Sequence, residues 1–325
     1  MSVTPTLKKY LSFVPYLFLR ALFVLRSGKR IWYGIANRQA VKLFRSWSSP
    51  LRTSEQRIAA DLRRDGIAIS TMEELFPGEP HLTADLARYS ESLRSHGAFS
   101  KTKAYSQQLF EEVSPLSDQN IFLPVILRPN IVRIVNAYMG LASRFYYFAL
   151  GVTKPVGDGV PPVASQQWHR DPEDTRIVKI FIYLSDVDMP AGPFTYIKGS
   201  QLDGRYRAIA PQRPPRGSYP SAELIKETVS SSDIVSCIGT AGTVVFADTS
   251  GLHRGGYATT KERVMFTAGF YSPSCPWPIL YTMPNGIPPA VAELALDPAV
   301  AYALSAPRPL FLEKMFHKFG RSFHV

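Results

Sequence analysis

The chain has 325 residues, 37 Lys or Arg against 26 Asp or Glu, and two cysteines, Cys237 and Cys275. The length exceeds a typical domain of roughly 100 to 200 residues but suits one large β-barrel or sandwich with an appendage, and two cysteines exclude a disulfide framework or a cysteine-based zinc site, which points to a reducing, cytoplasmic setting. The net charge of +11 is uneven: residues 1 to 54 carry ten basic side chains and no acid, Glu55 is the first acid, and the rest is nearly balanced. That excludes a body-wide nucleic-acid face.

In chain order, the first element is the run "YLSFVPYLFLRALFVL", residues 10 to 25, in which thirteen of sixteen residues are apolar. As a helix it reaches about 24 Å at roughly 1.5 Å per residue, short of the roughly 30 Å hydrocarbon core. Pro15 and Arg20 interrupt it, and basic residues flank both ends. The run suits a flat interfacial position better than a span. Helices packed on the protein's own body are the main alternative, and a span or targeting peptide fits less well. Residues 1–52 are expected to form a basic apolar segment that associates with a membrane surface. Residues 53–325 are the folded domain.

"TSEQRIAADLRRDG" predicts a helix with Thr53 and Gln56 as a capping box and Gly66 as its stop. "IAIS" predicts a short strand. Helices follow at Ala84 to Ser95, ending at Gly97, and at Asn130 to Tyr138, with Gly140 after it. "FYYFAL" (145 to 150), "RIVKIFIYL" (176 to 184), "GPFTYI" (192 to 197), "GTVVFA" (242 to 247) and "RVMFTAGFY" (263 to 271) predict strands, with Gly, Pro, Asp and Ser between them. The connections are not helical, so the expected class is mainly β, an antiparallel sandwich or barrel with flanking helices. Residues 201 to 233, with four prolines, are expected to form a long functional or mobile loop. No internal repeat is visible.

"QQWHRDPEDT", residues 166 to 175, sets His169 and Asp171 two positions apart. On extended backbone, residues i and i+2 face one side, so both side chains aim at one point. A surface turn is the plain alternative, because Arg170, Asp171, Pro172 and Glu173 are all turn-compatible. "GTVVFADTSGLHRGG" then supplies His253 just past a strand. If these strands belong to one barrel, His253 closes on the first pair. Two imidazoles and one carboxylate, with positions left open, make the facial triad of non-haem Fe(II) oxygenases. A structural zinc site would use four protein ligands. Arg263, ten residues on, can grip a carboxylate in a two-pronged geometry, although an ordinary barrel-end arginine is the alternative.

The order of "WHRD", "IYLSDVDMPAGPFTYIKGSQ", "GTVVFADTSGLHRGG" and Arg263 resembles the phytanoyl-CoA dioxygenase family of Fe(II)- and 2-oxoglutarate-dependent oxygenases, over roughly residues 55 to 275. Each piece alone is weak; four in order are specific. The resemblance implies a double-stranded β-helix, or cupin-like jelly roll. It implies His169, Asp171 and His253 as metal ligands and catalytic centre, Arg263 as partner of the distal carboxylate of 2-oxoglutarate, and O₂ as co-substrate. Where the family commonly has Gly-Ser-His, this chain has Gly199, Ser200 and Gln201. Nothing in residues 1 to 54 belongs to the pattern, so the acyl-CoA substrate of the namesake is not carried over.

Lys154 and Lys179 are candidates for neutralising the co-substrate or a substrate anion, and Trp168, Tyr147 and Thr267 for lining the pocket, each against an ordinary solvated or core role. Arg170 and Arg254 are expected to point away from the ligand face and serve structure. His81, His96, His317 and His324 lack partners at useful spacing. The expected activity is hydroxylation of an unactivated C–H bond in a hydrophobic, lipid-linked or secondary metabolite. The rivals are a non-catalytic ligand-binding jelly roll and a cupin-type dioxygenase without 2-oxoglutarate. Residues 98 to 128, 154 to 166 and 201 to 233 are the expected specificity loops.

Overall fold

A computed structural model describes residues 21, 24, 25, 28–47, 50–96, 101–103, 105–109, 114–115, 120–157, 159–214, 217–277, 279–283 and 286–305. Its strands are β1 Ile67–Thr71, β2 Lys101–Lys103, β3 Ser106–Gln108, β4 Ser114–Pro115, β5 Arg144–Thr153, β6 Val178–Tyr183, β7 Thr195–Ile197, β8 Ile234–Ser236, β9 Thr243–Asp248, β10 His253–Arg254, β11 Arg263–Tyr271 and β12 Tyr281–Thr282. Seven form one sheet in the order β1-β9-β6-β11-β5-β3-β2, and β10-β7-β8 form a smaller one. All pairings within these two sheets are antiparallel. The expected class holds: an antiparallel jelly-roll core with flanking helices.

Alternation along the large sheet explains why its strands read as unbroken apolar runs. Ile180 and Ile182 of β6 and Phe266 and Phe270 of β11 pack with Leu62, Ile131 and Val135 of the flanking helices. Phe181 and Tyr183 point the other way, against Phe194, Tyr196 and Cys237 on or beside the small sheet. A strand buried on both faces loses the polar half of its pattern. The interior face of the roll is therefore the one that carries Lys179, Phe181 and Tyr183.

Register then fixes what shares that interior. Gly269 lies opposite Lys179 and Tyr147, Thr267 opposite Phe181 and Ala149, Met265 opposite Tyr183 and Gly151, and Arg263 opposite Thr153. The sheet thus presents a ladder with Lys179 and Tyr147 at one end and Arg263 at the other.

Thr53 begins the first long helix, Thr53–Asp65, but does not cap it; Arg52 stands in the cap position. The Glu55 carboxylate accepts the Arg52 N–H at 3.2 Å and pairs with Arg133 at 2.7 Å. Gln56 instead donates to the Leu51 carbonyl at 2.8 Å. The tertiary partner Arg133, supplied by helix Pro129–Met139, decides which side chain serves the helix start. Gly66 and Gly140 end the two helices in the left-handed conformation, as expected. Residues 201–233 are not structureless: they contain helix Ala222–Thr228, capped by the Ser221 hydroxyl, which accepts from Leu224 N at 3.2 Å.

The apolar run 10–25 lies almost wholly outside the described residues. Residues 29–47, grouped with it by charge, are packed onto the domain. Trp32 is fully buried, and its indole N–H donates to Asp174 at 3.3 Å. Asn37 accepts from Ser274 N at 3.1 Å, and the Ala40 carbonyl from Ala142 N at 3.0 Å. Exposed apolar side chains remain at Val24, Leu25 and Ile35. No described helix is long and apolar enough to cross a membrane. Cys237 and Cys275 are buried and unpaired with one another.

Candidate active site

His169 and His253 face each other as a bridge: His169 N donates to the His253 carbonyl at 2.9 Å and His253 N to the His169 carbonyl at 3.0 Å. Asp171 N continues the pairing to the Thr249 carbonyl at 3.0 Å. This extended path brings three side chains to one point, as the i, i+2 spacing predicts. His169 Nε2 lies 3.6 Å from one Asp171 oxygen and His253 Nε2 3.7 Å from the other. The ligand atoms all fall within 4.8 Å of one another, and all three residues are buried.

Both imidazoles are aimed through their other nitrogen. Nδ1 of His169 is 2.9 Å from the Gln167 carbonyl, and Nδ1 of His253 is 3.0 Å from the Gly251 carbonyl. A carbonyl can only accept, so each Nδ1 carries the proton and each Nε2 offers its lone pair inward. Burial, joined for His253 by the neighbouring His169, lowers both histidines, His253 to about 3. They are neutral at pH 7, the form a metal needs. Burial alone would raise the Asp171 carboxyl, but Lys179 and then the two histidines outweigh it and hold it well below the usual range. Two neutral imidazoles and an ionised carboxylate, with lone pairs converging, suit a divalent iron with open positions.

Lys179 Nζ sits 2.5 Å from Asp171 Oδ2, so the lysine engages the acid of the triad. Gln212, in the segment 201–233, donates to the Asp171 and Asp174 carbonyls at 2.6 and 2.9 Å. Tyr219 of the same segment stacks on the His169 ring at 5.7 Å and lines a 360 Å³ cleft with Pro162, Trp168 and Arg254. Glu173 follows two residues after Asp171; burial first, then the Asp171 charge, push it up to about 7. Sequence reasoning missed Gln212, Tyr219 and Glu173. Only Glu173 had a visible signal, its place in the "HRDPED" turn.

Arg263 is buried, and Nη2 donates to Thr153 Oγ1 at 3.2 Å. Its Nε and Nη1 have no acceptor among the described residues. A Cβ on Gly255 or Gly256, just past His253, would stand 4.0 or 3.6 Å from its terminal nitrogens. The guanidinium therefore lies beneath the backbone that leaves the second histidine. Two orphaned donors on a buried cation call for an anion.

Thr267 and Tyr147 face the interior with Lys179. Lys154 does not join the cluster: it pairs with Glu262 at 3.3 Å and is 37% exposed. Trp168 precedes His169 and so points oppositely, into an apolar cluster with Ile197 and Leu252, with the Arg254 guanidinium 4.7 Å from its ring.

Arg170 turns away from the His169, Asp171 and His253 cluster, as alternation predicts. Its guanidinium donates to five carbonyls, those of Ser200, Tyr206, Ile209, Ala210 and Ser250, at 2.6 to 3.2 Å. Burial lowers it to about 10, so it stays charged at pH 7. Arg170→Lys keeps the charge but cannot reach five acceptors, and each buried carbonyl left unmatched costs about 1 to 3 kcal/mol. Urea unfolding of this variant is expected to show a loss of roughly 3 kcal/mol or more. An unchanged midpoint would show that the staple contributes nothing.

Asp248 holds the other side of the site. It accepts Ile177 N at 3.1 Å, Ser250 N at 3.0 Å and the Tyr138 hydroxyl at 2.5 Å. The turn that leads to His253 is thereby tied to the start of β6 and to the helix Pro129–Met139.

A family model described as phytanoyl-CoA dioxygenase (PhyH) matches residues 85–265. The chain belongs to the phytanoyl-CoA dioxygenase family. As a member it is a non-haem iron enzyme that depends on 2-oxoglutarate. Among solved structures, the chain is similar to the epimerase SnoN in complex with Fe3+, alpha ketoglutarate and nogalamycin RO. Identity is 15%, over 67% of this chain and 84% of that one, with a TM-score of 0.49. EctD from S. alaskensis with bound Fe gives 18% identity, 75% and 83% coverage and a TM-score of 0.49. The alpha ketoglutarate dependent carbocyclase SnoK from nogalamycin biosynthesis gives 17%, 81% and 96%, and 0.47. Comparison with curated proteins gives no match.

Proposed function

We propose that this phytanoyl-CoA dioxygenase family member hydroxylates an unactivated C–H bond of a hydrophobic, lipid-linked or secondary metabolite. His169, Asp171 and His253 would hold the iron, and Arg263 the distal carboxylate of 2-oxoglutarate. The observation that carries this is the convergence of two inward Nε2 atoms and one buried carboxylate within 4.8 Å. When bound, iron with 2-oxoglutarate and O₂ supplies an oxidant strong enough for such a bond. The chain's residues do the rest. Gln167 and Gly251 fix the imidazole tautomers, Lys179 holds one Asp171 oxygen, Arg263 neutralises a buried carboxylate, and the interior face shields the reacting carbon from water. The test is coupled oxidation of 2-oxoglutarate with candidate metabolites. A substrate-triggered rise in succinate with an oxygen atom added to the metabolite is expected, and succinate without any oxidised product would count against hydroxylation.

We also propose that residues 1–52 make peripheral contact with a membrane. What supports this is the acid-free basic stretch around the apolar run, together with exposed Val24, Leu25 and Ile35 near Arg30. Each basic residue near an anionic surface is worth about 1 kcal/mol. The full chain should sediment with phosphatidylserine vesicles and be partly released by salt. A truncation to test this has to keep residues 28–52, because removing Trp32 uncovers Asp174 beside the site. Vesicle-independent behaviour of the full chain at all salt concentrations would refute the contact.

A further inference from the structure

Arg254 follows His253 and Trp168 precedes His169, so across this bridged pair both side chains lie on the face turned away from the imidazoles. There the Arg254 guanidinium sits 4.7 Å from the centre of the Trp168 ring, which is itself buried. The stack fixes where the cation stands. An arginine keeps its proton in a protein, so the charge is permanent. Among the described residues, no carboxylate or other hydrogen-bond acceptor engages that guanidinium.

Two clefts meet at this cation. One, of 360 Å³, runs past Trp168, Tyr219 and Pro220, and the other, of 370 Å³, runs past Met189, Pro193, Thr195 and Tyr257. Pro162, Gln166 and Arg254 line both, and no acid lines either among the described residues. Each has the size of a small-molecule site. The buried Gln166 side chain accepts from Val163 N at 3.0 Å and donates to the Gly256 carbonyl at 3.1 Å, and the Tyr257 hydroxyl donates to the Val160 carbonyl at 2.5 Å. Gly255 N adds a bond to the Ser165 carbonyl at 3.0 Å. The stretch 160–166 is thereby held against 253–257 before any ligand arrives, which lowers the ordering cost of binding. Met189 and Tyr219, on the walls, are 61% and 55% exposed and leave apolar surface to be covered.

A permanent cation without a counter-charge, set between preformed apolar walls, matches a ligand of opposite sign with an apolar body. We propose that this outer face of the small sheet is a binding site for an amphipathic anion, whose carboxylate or phosphate meets Arg254 and whose apolar body fills the adjoining clefts. The assignment stands whether or not His169, Asp171 and His253 hold iron. An arginine that served only to cover Trp168 would be indifferent to the charge of a ligand.

The test is a ligand-observed NMR titration of the full chain with 2-naphthoate, 1-naphthyl phosphate, the neutral methyl 2-naphthoate and inorganic phosphate. A charge-assisted hydrogen bond at a partly exposed site corresponds to about a tenfold preference, so each naphthyl anion should outbind the ester by that ratio. Whichever anion shows the larger ratio names the group the site takes. Inorganic phosphate should bind about tenfold or more weakly than naphthyl phosphate, because it leaves the apolar walls uncovered. Arg254→Met, which keeps a stem on Trp168 and removes the charge, should bring the anion-to-ester ratio to about one and leave ester binding unchanged. If that variant fails to fold, Arg254→Gln decides by the same ratio. Arg263 is a second buried cation, so the titrations are repeated with excess 2-oxoglutarate, and the preference should persist. A preference that 2-oxoglutarate abolishes, one that survives the Arg254 variants, or an ester bound as tightly as the anions overturns the site. Inorganic phosphate bound as tightly as naphthyl phosphate overturns it as well, leaving an adventitious ion contact only.

Discussion

Asp171→Ala abolishes coupled turnover and iron retention, the largest effect expected from any single change in this chain. In the proposed site the variant removes the one anionic ligand while leaving both imidazoles, and it also takes away the carboxylate that the Lys179 ammonium engages at 2.5 Å. Burial lowers the lysine and the Asp171 charge raises it; the second effect wins, so Lys179 is charged in the intact protein. Breaking a buried pair on one side costs roughly 3 to 5 kcal/mol. Loss of iron and loss of stability are therefore confounded in the single variant. Asp171→Ala combined with Lys179→Met separates them: unfolding should recover most of the stability, and iron content should not recover. Iron retained at the level of the unaltered protein in either variant would remove Asp171 from the ligand set.

Arg263→Ala raises the apparent 2-oxoglutarate constant by about two to three orders of magnitude, because a buried carboxylate then lacks its partner at a cost of roughly 3 to 5 kcal/mol. Arg263→Lys should fall between, since an ammonium cannot present two parallel donors. Iron affinity should change little, as Arg263 bonds to Thr153 and not to a ligand. A variant that loses iron yet binds 2-oxoglutarate normally would show that the assignment is wrong.

The parts of the fold legible in the sequence are those written in local pattern. Gly66 and Gly140 stop their helices where a left-handed residue is needed, and the apolar runs at 176 to 184 and 263 to 271 become the buried strands β6 and β11. The convergence of His169, Asp171 and His253 was legible because i, i+2 spacing on extended chain is a local rule, and His253 needed only a strand in front of it. What could not be read depended on tertiary partners. Arg52 and Glu55 replace Thr53 and Gln56 at the helix start, where Arg133 arrives from another helix to pair with Glu55. Lys154 is drawn to Glu262, while Lys179 is drawn to Asp171, and nothing in either lysine's own neighbourhood distinguishes them. Trp32 sits among basic residues in the sequence, yet its ring closes over Asp174, 142 positions away. Gln212 and Tyr219 lie in a proline-rich stretch whose composition says only that it is a loop.

Anaerobic reconstitution tests most directly the proposal that His169, Asp171 and His253 form an iron site open to 2-oxoglutarate. Fe(II) titrated into the full chain should saturate at about one equivalent, the count a single three-ligand site allows. Adding 2-oxoglutarate should then produce a weak visible charge-transfer absorption that Asp171→Ala lacks. Folded, iron-loaded protein that gives no such absorption with 2-oxoglutarate would contradict the account.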